Sequence, residues 1–129
     1  MRDRLAAARV ARLATVTPEG RPHLVPCCFV LDRETIYSAV DGKPKSTLAL
    51  QRLTNIAAHA GVSLLVDQYD DDWSALWWVR IDGTARVASD PNEREWALQL
   101  LAAKYPPYTH SPPPGDVIAI EVTAWRAWP

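Results

Sequence analysis

Two lysines and two hydroxyl residues stand together in the segment VDGKPKSTLAL, between a predicted strand and a predicted helix. Lys43, Lys45, Ser46 and Thr47 lie where that helix would begin. The free N–H groups and the dipole of a helix make this end partly positive, so it normally favours acidic groups. A bound phosphate would offset the repulsion and accept hydrogen bonds from the amines and hydroxyls. The cluster therefore predicts a phosphate site, and a hydrated turn that binds nothing is the alternative.

The other residues capable of chemistry are scattered along the chain. His23, His59 and His110 fall in a strand, at a helix end and in a proline-rich loop, so their spacing predicts no metal site. Cys27 and Cys28 are adjacent in a predicted strand and would point to opposite faces, which favours two buried apolar side chains over a disulfide. No pattern of nucleophile and base indicates a catalytic triad.

The composition limits the class of protein. The 129 residues are 48% apolar and 22% charged, which is typical of one globular domain over residues 1–129. A net charge of −1 predicts no general affinity for nucleic acid or for anionic membranes. The first residues, MRDRLAAARVARLA, are charged, and no run approaches the roughly 20 apolar residues of a membrane span. We therefore expect a cytoplasmic protein.

The elements around these residues are predicted to be mainly β-strands. Residues 1–9 indicate a short helix, and three short strands follow to residue 40 as an antiparallel meander. An apolar stripe predicts a helix over 48–59, and two strands follow, the second with a bulge at Gly83. Asp90 and Pro91 begin a helix whose buried side would include Trp96, and residues 106–115, with five prolines, predict an extended loop before the last strand. About six antiparallel strands with flanking helices would close best as a small barrel.

Several short motifs occur in a characteristic order, namely LATV, GRPHLVP, a strand with an aromatic residue, GKPKSTLAL, SLLV and WVRIDGTARV. Over roughly residues 10–90 this order resembles that of the pyridoxamine 5′-phosphate oxidase-like split β-barrel family, whose barrels bind flavin mononucleotide (FMN) or related cofactors. The resemblance implies a homodimer of split barrels with two cofactor sites in the groove between the protomers. It also implies a small-molecule substrate.

The resemblance implies cofactor-binding roles for three groups of residues. The residues implied to hold the phosphate, or to lie beside it, are Lys43, Lys45, Ser46 and Thr47. The residues implied to contact the tricyclic ring from the second and third strands are Pro26, Cys27, Cys28, Tyr37 and Ser38. The fifth strand is implied to contribute Trp78 and Arg80.

Two departures from the family pattern bear on the choice of cofactor. Pro44 precedes Lys45, where members closest to pyridoxamine phosphate oxidase carry an arginine, and His23 and apolar residues stand where those members carry an arginine and a lysine. The likeness is therefore to the branch that uses the deazaflavin coenzyme F-420, which implies an oxidoreductase that transfers a hydride to a small substrate with an activated double bond. An FMN-dependent oxidoreductase or oxidase, and a non-catalytic flavin- or deazaflavin-binding protein, remain as alternatives.

Overall fold

The computed structural model describes residues 1–40 and 47–129, with the side chains of α2 described from Gln51 onward. The strands are β1 (Ala11–Val16), β2 (Pro22–Cys27), β3 (Val30–Asp32), β4 (Thr35–Ala39), β5 (Gly61–Gln68), β6 (Trp77–Val87) and β7 (Val117–Trp128). The helices are α1 (Arg2–Ala7), α2 (Thr47–Ala58), α3 (Pro91–Lys104) and α4 (Pro107–His110). The predicted architecture, mainly β with flanking helices, is confirmed.

All seven strands form one antiparallel sheet in the order β2-β1-β5-β6-β7-β4-β3. The two edge strands, β2 and β3, are joined by Cys28 and Phe29 alone. In a flat sheet these edges would lie six strand spacings apart, or roughly 29 Å. Three Cα–Cα steps span at most about 11 Å. The sheet must therefore curl until its edges approach, and it forms a half-barrel.

One prediction about the first strands is wrong. The described residues form seven strands rather than about six, because the predicted strand HLVPCCFVL divides into β2 and β3 around Cys28 and Phe29. The predicted antiparallel pairings do occur, since β2 pairs with β1 and β3 pairs with β4, but the two halves of the predicted second strand lie at opposite ends of the sheet order. Phe29 is fully buried, so the chain bends inward at this residue and leaves the plane of β2.

The inner face of the curled sheet forms the main core. Its apolar side chains include Leu13, Leu64, Val79, Ile81 and Ile118, each at most 1% exposed. One polar chain of hydrogen bonds enters this core from α2: Gln51 donates to Asn55, and Asn55 donates to Thr15 of β1. α2 is thereby fixed to the sheet by hydrogen bonds as well as by packing.

The outer face of the sheet is covered by α3 at one end only. The helix begins as predicted, with Asp90 accepting a hydrogen bond from the N–H of Asn92. Ala97 and Leu101 are its fully buried residues. The prediction that Trp96 is buried is wrong: the side chain is 47% exposed, and its indole donates to Asp32 at 2.8 Å. Because α3 contacts β3, β4 and β7, the outer face of β2, β1 and β5 has no helix over it in the described part of the chain.

Two local predictions have opposite outcomes. The bulge at Gly83 is confirmed by a register shift between β6 and β7 at Asp82 and Gly83. The extended loop predicted for residues 106–115 is wrong in its first part, where Pro107–His110 form α4. Proline is tolerated in the first turn of a helix, because the missing N–H has no partner there.

Among the described residues, no helix has both the length and the apolar character needed to cross a membrane.

Candidate functional site

An open groove lies on the sheet where β5 and β6 run side by side towards their connecting hairpin. Its volume is about 400 Å³, and its walls include Leu65, Leu76, Trp77, Trp78 and Arg80. Two tryptophans and two leucines provide flat apolar surface, and the arginine provides charge and N–H donors. This combination suits a planar aromatic ligand that carries polar substituents.

The charged residues at the groove are held by weak surface ion pairs. Arg80 Nε lies 3.3 Å from Asp82 Oδ1, and Arg12 Nη1 lies 3.4 Å from Asp67 Oδ1. Both arginine side chains are nearly half exposed, so each pair stabilises the fold by less than about 1 kcal/mol. Arg80 could therefore exchange its contact with Asp82 for one with a ligand at little cost in stability.

A single row of residues connects the groove with the edge of the sheet. Pro26 of β2 is opposite Arg12 of β1, Arg12 is opposite Leu65 of β5, and Leu65 is opposite Arg80 of β6. Directly opposed residues share a face, so all four lie on the outer face. Three strand spacings separate Pro26 from Arg80, or about 14 Å. The two predicted ligand positions therefore lie on the same surface but at opposite ends of the row.

The hairpin between β5 and β6 carries two exposed aromatic residues. Tyr69 and Trp73 are 67% and 70% exposed, and the indole of Trp73 lies 3.4 Å from the hydroxyl of Tyr69. Asp72 begins the short 3-10 turn that holds Trp73, by accepting hydrogen bonds from the N–H and the hydroxyl of Ser74. The same two bonds lower the pKa of Asp72. The tip is thus locally ordered while its aromatic side chains remain in solvent.

The predicted phosphate cluster falls at the edge of the described chain. Lys43, Lys45 and Ser46 lie outside the described residues. Thr47 is the first residue of α2, and its side chain is also outside the description. A helix does begin at the predicted place, and the role of these four residues stays a prediction.

Tyr37 and Ser38 of β4 are buried and already have hydrogen-bond partners inside the protein. The Tyr37 hydroxyl donates to Glu93 Oε2 at 3.0 Å, and burial together with this contact raises the pKa of Tyr37 to about 12. The Ser38 hydroxyl donates to the carbonyl oxygen of Cys28 at 2.7 Å. Their predicted contacts with a cofactor stay a prediction, and these internal bonds would compete with them.

The two cysteines differ in position. Cys27 ends β2 and is 7% exposed, and burial raises the pKa of its thiol. Cys28 lies beyond the strand, in the link to β3, and is half-buried. Pro26 is exposed on the outer face of this edge strand, as expected for a proline in a sheet. Of the three, Pro26 is therefore the most accessible to a ligand.

The sequence did not indicate Arg52 as a site residue, and it indicated His23 as a weak candidate for a metal ligand and as a departure from the family's arginine and lysine. Arg52 lies on α2 near the thiol of Cys27, whose pKa its charge lowers in opposition to burial. The Nε of Arg52 and the Nδ1 of His23 are both buried, and neither has a hydrogen-bond partner among the described atoms. Arg52 is the sixth residue of α2, and a single arginine inside a helix gives no sequence signal for a site. Among the described residues, no group of three or more His, Cys, Asp or Glu is placed to hold a metal ion.

Solved structures from several bacteria share this fold. A conserved hypothetical protein of Mycobacterium tuberculosis superposes with a TM-score of 0.79 at 20% identity, over 98% of this chain and 81% of that one. The heme storage protein HutZ of Vibrio cholerae superposes with a TM-score of 0.78 at 14% identity, over 98% and 89% of the two chains. An FAD-binding protein of Mesorhizobium loti gives a TM-score of 0.72 at 20% identity, over 97% and 88%. At sequence identities of 20% or less, these matches show a shared fold and nothing further.

The sequence itself gives a family assignment. None of the curated proteins matches it. The family described as pyridoxamine 5′-phosphate oxidase matches residues 1–129, which is the whole chain. The seven-stranded half-barrel and the matching structures agree with that match, and the chain therefore belongs to the pyridoxamine 5′-phosphate oxidase family.

Proposed function

We propose that this protein is a deazaflavin (coenzyme F-420)-dependent oxidoreductase that transfers a hydride between the reduced cofactor and a small organic substrate with an activated double bond. The observation that carries the proposal is the groove between β5 and β6, where Trp78 and Arg80 form part of the wall. Family membership supports a redox cofactor of the flavin type. Pro44, in place of an arginine, favours the deazaflavin.

The described residues suit the ring of such a cofactor. Trp78 and Leu65 would cover part of one ring face and exclude water from it. The guanidinium of Arg80 would donate hydrogen bonds to a ring carbonyl or to an anionic substituent. A deazaflavin, when bound, supplies the hydride chemistry, so the protein's contribution is to bind and orient.

Arg52 supplies a guanidinium group, which the cluster of Lys43 and Lys45 does not contain. The family members that bind FMN use an arginine and a lysine at the phosphate, and here only lysines precede α2. Arg52 Nε is buried and has no partner among the described atoms, so within this part of the chain the guanidinium has a donor available for a ligand. We assign Arg52 to the phosphate end of the cofactor, together with Lys43, Lys45, Ser46 and Thr47.

The separation of Pro26 from Arg80 favours a site shared by two protomers. The two residues lie about 14 Å apart on one protomer, across three strand spacings. Leu24, on β2, is 67% exposed, and Leu65 and Trp128 are 38% and 48% exposed. These three residues share the outer face with Pro26 and Arg80, and a dimer contact on this face would remove their apolar surface from water. A homodimer that joins these outer faces would bring β2 of one protomer towards β6 of the other, and sedimentation equilibrium of Leu24→Asp against the unmodified protein tests it.

The test of the function is a fluorescence titration with F-420 and, separately, with FMN, followed by turnover of the reduced cofactor. The variants are Lys45→Ala and Arg52→Gln, and the control is Arg33→Asn, at an exposed turn where φ is 56° and asparagine is tolerated. We expect F-420 to bind with at least tenfold weaker affinity in both variants and unchanged affinity in the control. Loss of one charge-assisted contact accounts for this magnitude, since a factor of ten is about 1.4 kcal/mol.

Two outcomes would support the alternatives. Binding of FMN without F-420 favours an FMN-dependent oxidoreductase, and the match to an FAD-binding protein is the observation behind that candidate. If F-420 binds but no hydride acceptor oxidises the reduced cofactor, a non-catalytic carrier is favoured. If neither cofactor binds, the proposal is wrong and the lysines belong to a hydrated turn.

A further inference from the structure

A second cavity lies between α1, β3 and α3, on a different part of the surface. Its volume is about 600 Å³, which exceeds that of the groove, and the two share no lining residue. Val30 and Leu31 of β3, with Leu100 and Ala103 of α3, give it an apolar wall. The cavity is large enough for a small organic molecule.

Three basic side chains and one acidic side chain also line the cavity. Arg2 is already paired with Glu34 and is half exposed. Arg9 and Lys104 lie together: Arg9 Nη2 donates to the carbonyl oxygen of Lys104 at 2.8 Å. In the described part of the chain, neither Arg9 nor Lys104 has a carboxylate within ion-pair distance, and Asp3 is the only acidic residue in the lining. Two adjacent cations therefore share a partly apolar cavity without a matching anion.

The ammonium group of Lys104 is partly removed from water. Lys104 Nζ lies 3.8 Å from the centroid of the Phe29 ring and donates to the carbonyl oxygen of Leu5 at 3.1 Å. Burial first, and the charge of Arg9 second, lower the pKa of Lys104 to about 8. An anion that enters the cavity would stabilise a desolvated ammonium group that lies beside a second cation.

We propose that the cavity between α1, β3 and α3 binds an organic carboxylate, with its charged end between Arg9 and Lys104 and its hydrocarbon part against Val30, Leu31 and Leu100. The apolar wall favours a ligand with a hydrocarbon body over inorganic phosphate. Two adjacent cations can hold both oxygens of one carboxylate. This site is separate from the cofactor groove and does not depend on the proposed oxidoreductase activity.

The test is a calorimetric titration of the full chain with octanoate and with octanamide, which has nearly the same shape but no charge. We expect saturable binding of octanoate and at least tenfold weaker binding of octanamide. Lys104→Gln should weaken octanoate binding at least tenfold, and Arg21→Gln, an exposed arginine in the turn between β1 and β2, should leave it unchanged. Equal binding of the two ligands, no binding of either, or full affinity in Lys104→Gln would overturn the proposal.

A second measurement avoids mutation, in case Lys104→Gln does not fold. The chain has three lysines, so the side-chain carbon signals of labelled lysine can be followed individually through a pH titration. The other charged or titratable groups that act on Lys104 are Arg9, Cys28 and Tyr105. Octanoate should raise the pKa of Lys104 by about one unit or more, since an adjacent opposite charge favours the protonated amine. An unchanged pKa at saturating octanoate would place the ligand elsewhere.

Discussion

The hydroxyl of Tyr105 lies 3.1 Å from both the main-chain nitrogen and the carbonyl oxygen of Phe29. Tyr105 follows α3, whereas Phe29 links the two edge strands of the sheet. The same hydroxyl also lies 3.1 Å from the carbonyl oxygen of Arg9, just before β1. The hydroxyl accepts from the N–H of Phe29 and shares its single proton between the two carbonyl oxygens, so one side chain bonds to the main chain where the sheet closes. The contacts with Phe29 are buried away from water.

Replacing Tyr105 by phenylalanine tests this closure. The change removes the hydroxyl and leaves the N–H of Phe29 without its partner in the core, which should lower the free energy of unfolding by about 1–3 kcal/mol. Urea denaturation measures the effect. Tyr69→Phe is the control, because Tyr69 is 67% exposed and should change stability by less than about 0.5 kcal/mol. Equal stability of the two variants would mean that the sheet closes through packing alone.

Gly83 and Gly61 lie on adjacent strands and differ in the space around their Cα atoms. A Cβ at Gly83 would lie 2.6 Å from the carbonyl oxygen of Glu121 and 2.6 Å from Ile120 Cγ2, whereas a Cβ at Gly61 would meet nothing within 4 Å. Gly83→Ala should therefore destabilise the protein by at least about 2 kcal/mol, because the main chain of β7 must shift. Gly61→Ala should leave stability unchanged or raise it by up to about 1 kcal/mol. Thermal unfolding of both variants gives the comparison, and similar melting temperatures would contradict the close approach at the bulge.

The local elements were more predictable than their arrangement. The bulge at Gly83 and the start of α3 at Asp90 follow from residue types that act over a few positions. The division between β2 and β3 could not be predicted, because Phe29 has the apolar character of a strand residue and its hydrogen bonds to Tyr105 join positions 76 residues apart. Tertiary contacts of this kind override local propensity.

The candidate site shows the same division between local pattern and long-range contact. Trp78 and Arg80 were predicted to be near the site, and they line one groove because residues two apart on a strand share a face. The predicted cofactor contacts of Tyr37 and Ser38 stay a prediction, and their hydroxyls bond to Glu93 and to the Cys28 carbonyl, which are 56 and 10 residues away in sequence. Arg52 was missed because a single arginine within a helix carries no motif.

Glu93 should make the protein less stable as the pH falls into the acid range. Arg86 donates to both of its carboxylate oxygens, at 2.6 and 2.8 Å, and this contact holds the pKa of Glu93 below its usual value. A carboxyl group with a lowered folded-state pKa stabilises the fold above its unfolded pKa, and that contribution is lost as the pH falls through the folded pKa. Glu93→Gln should therefore cost about 1 kcal/mol at pH 7, since both side chains are partly exposed, and much less at pH 3.

Urea denaturation between pH 3 and pH 7 measures this dependence. Glu95→Gln is the control, because Glu95 is exposed on the same helix and lies outside the ion pairs of the described residues. A constant difference between Glu93→Gln and the unmodified protein at all pH values would show that the carboxylate charge is unimportant.

Asn55 connects the fold to the predicted cofactor site. It is fully buried, and its side chain bridges Gln51 of the same helix and Thr15 of β1, at 2.7 and 2.9 Å. Asn55→Ala should lower stability by about 1–3 kcal/mol, because Thr15 loses its partner in the core. It should also weaken cofactor binding, since the start of α2 would lose its fixed position. Thr54→Ala, at an exposed position beside it, should affect neither the melting temperature nor the titration.

Trp78 gives the most direct test of the groove. If the cofactor ring lies against this indole, Trp78→Ala should weaken F-420 binding about tenfold, because an aromatic contact contributes about 1 kcal/mol beyond its buried area. Trp96→Ala removes a tryptophan that is 47% exposed on α3, outside the groove, and should leave the affinity unchanged. Calorimetry is the suitable measurement, because both variants alter the intrinsic fluorescence. If Trp78→Ala binds with full affinity while Lys45→Ala does not, the phosphate end of the site is correct and the ring lies elsewhere, for instance along Pro26 at the edge of the sheet.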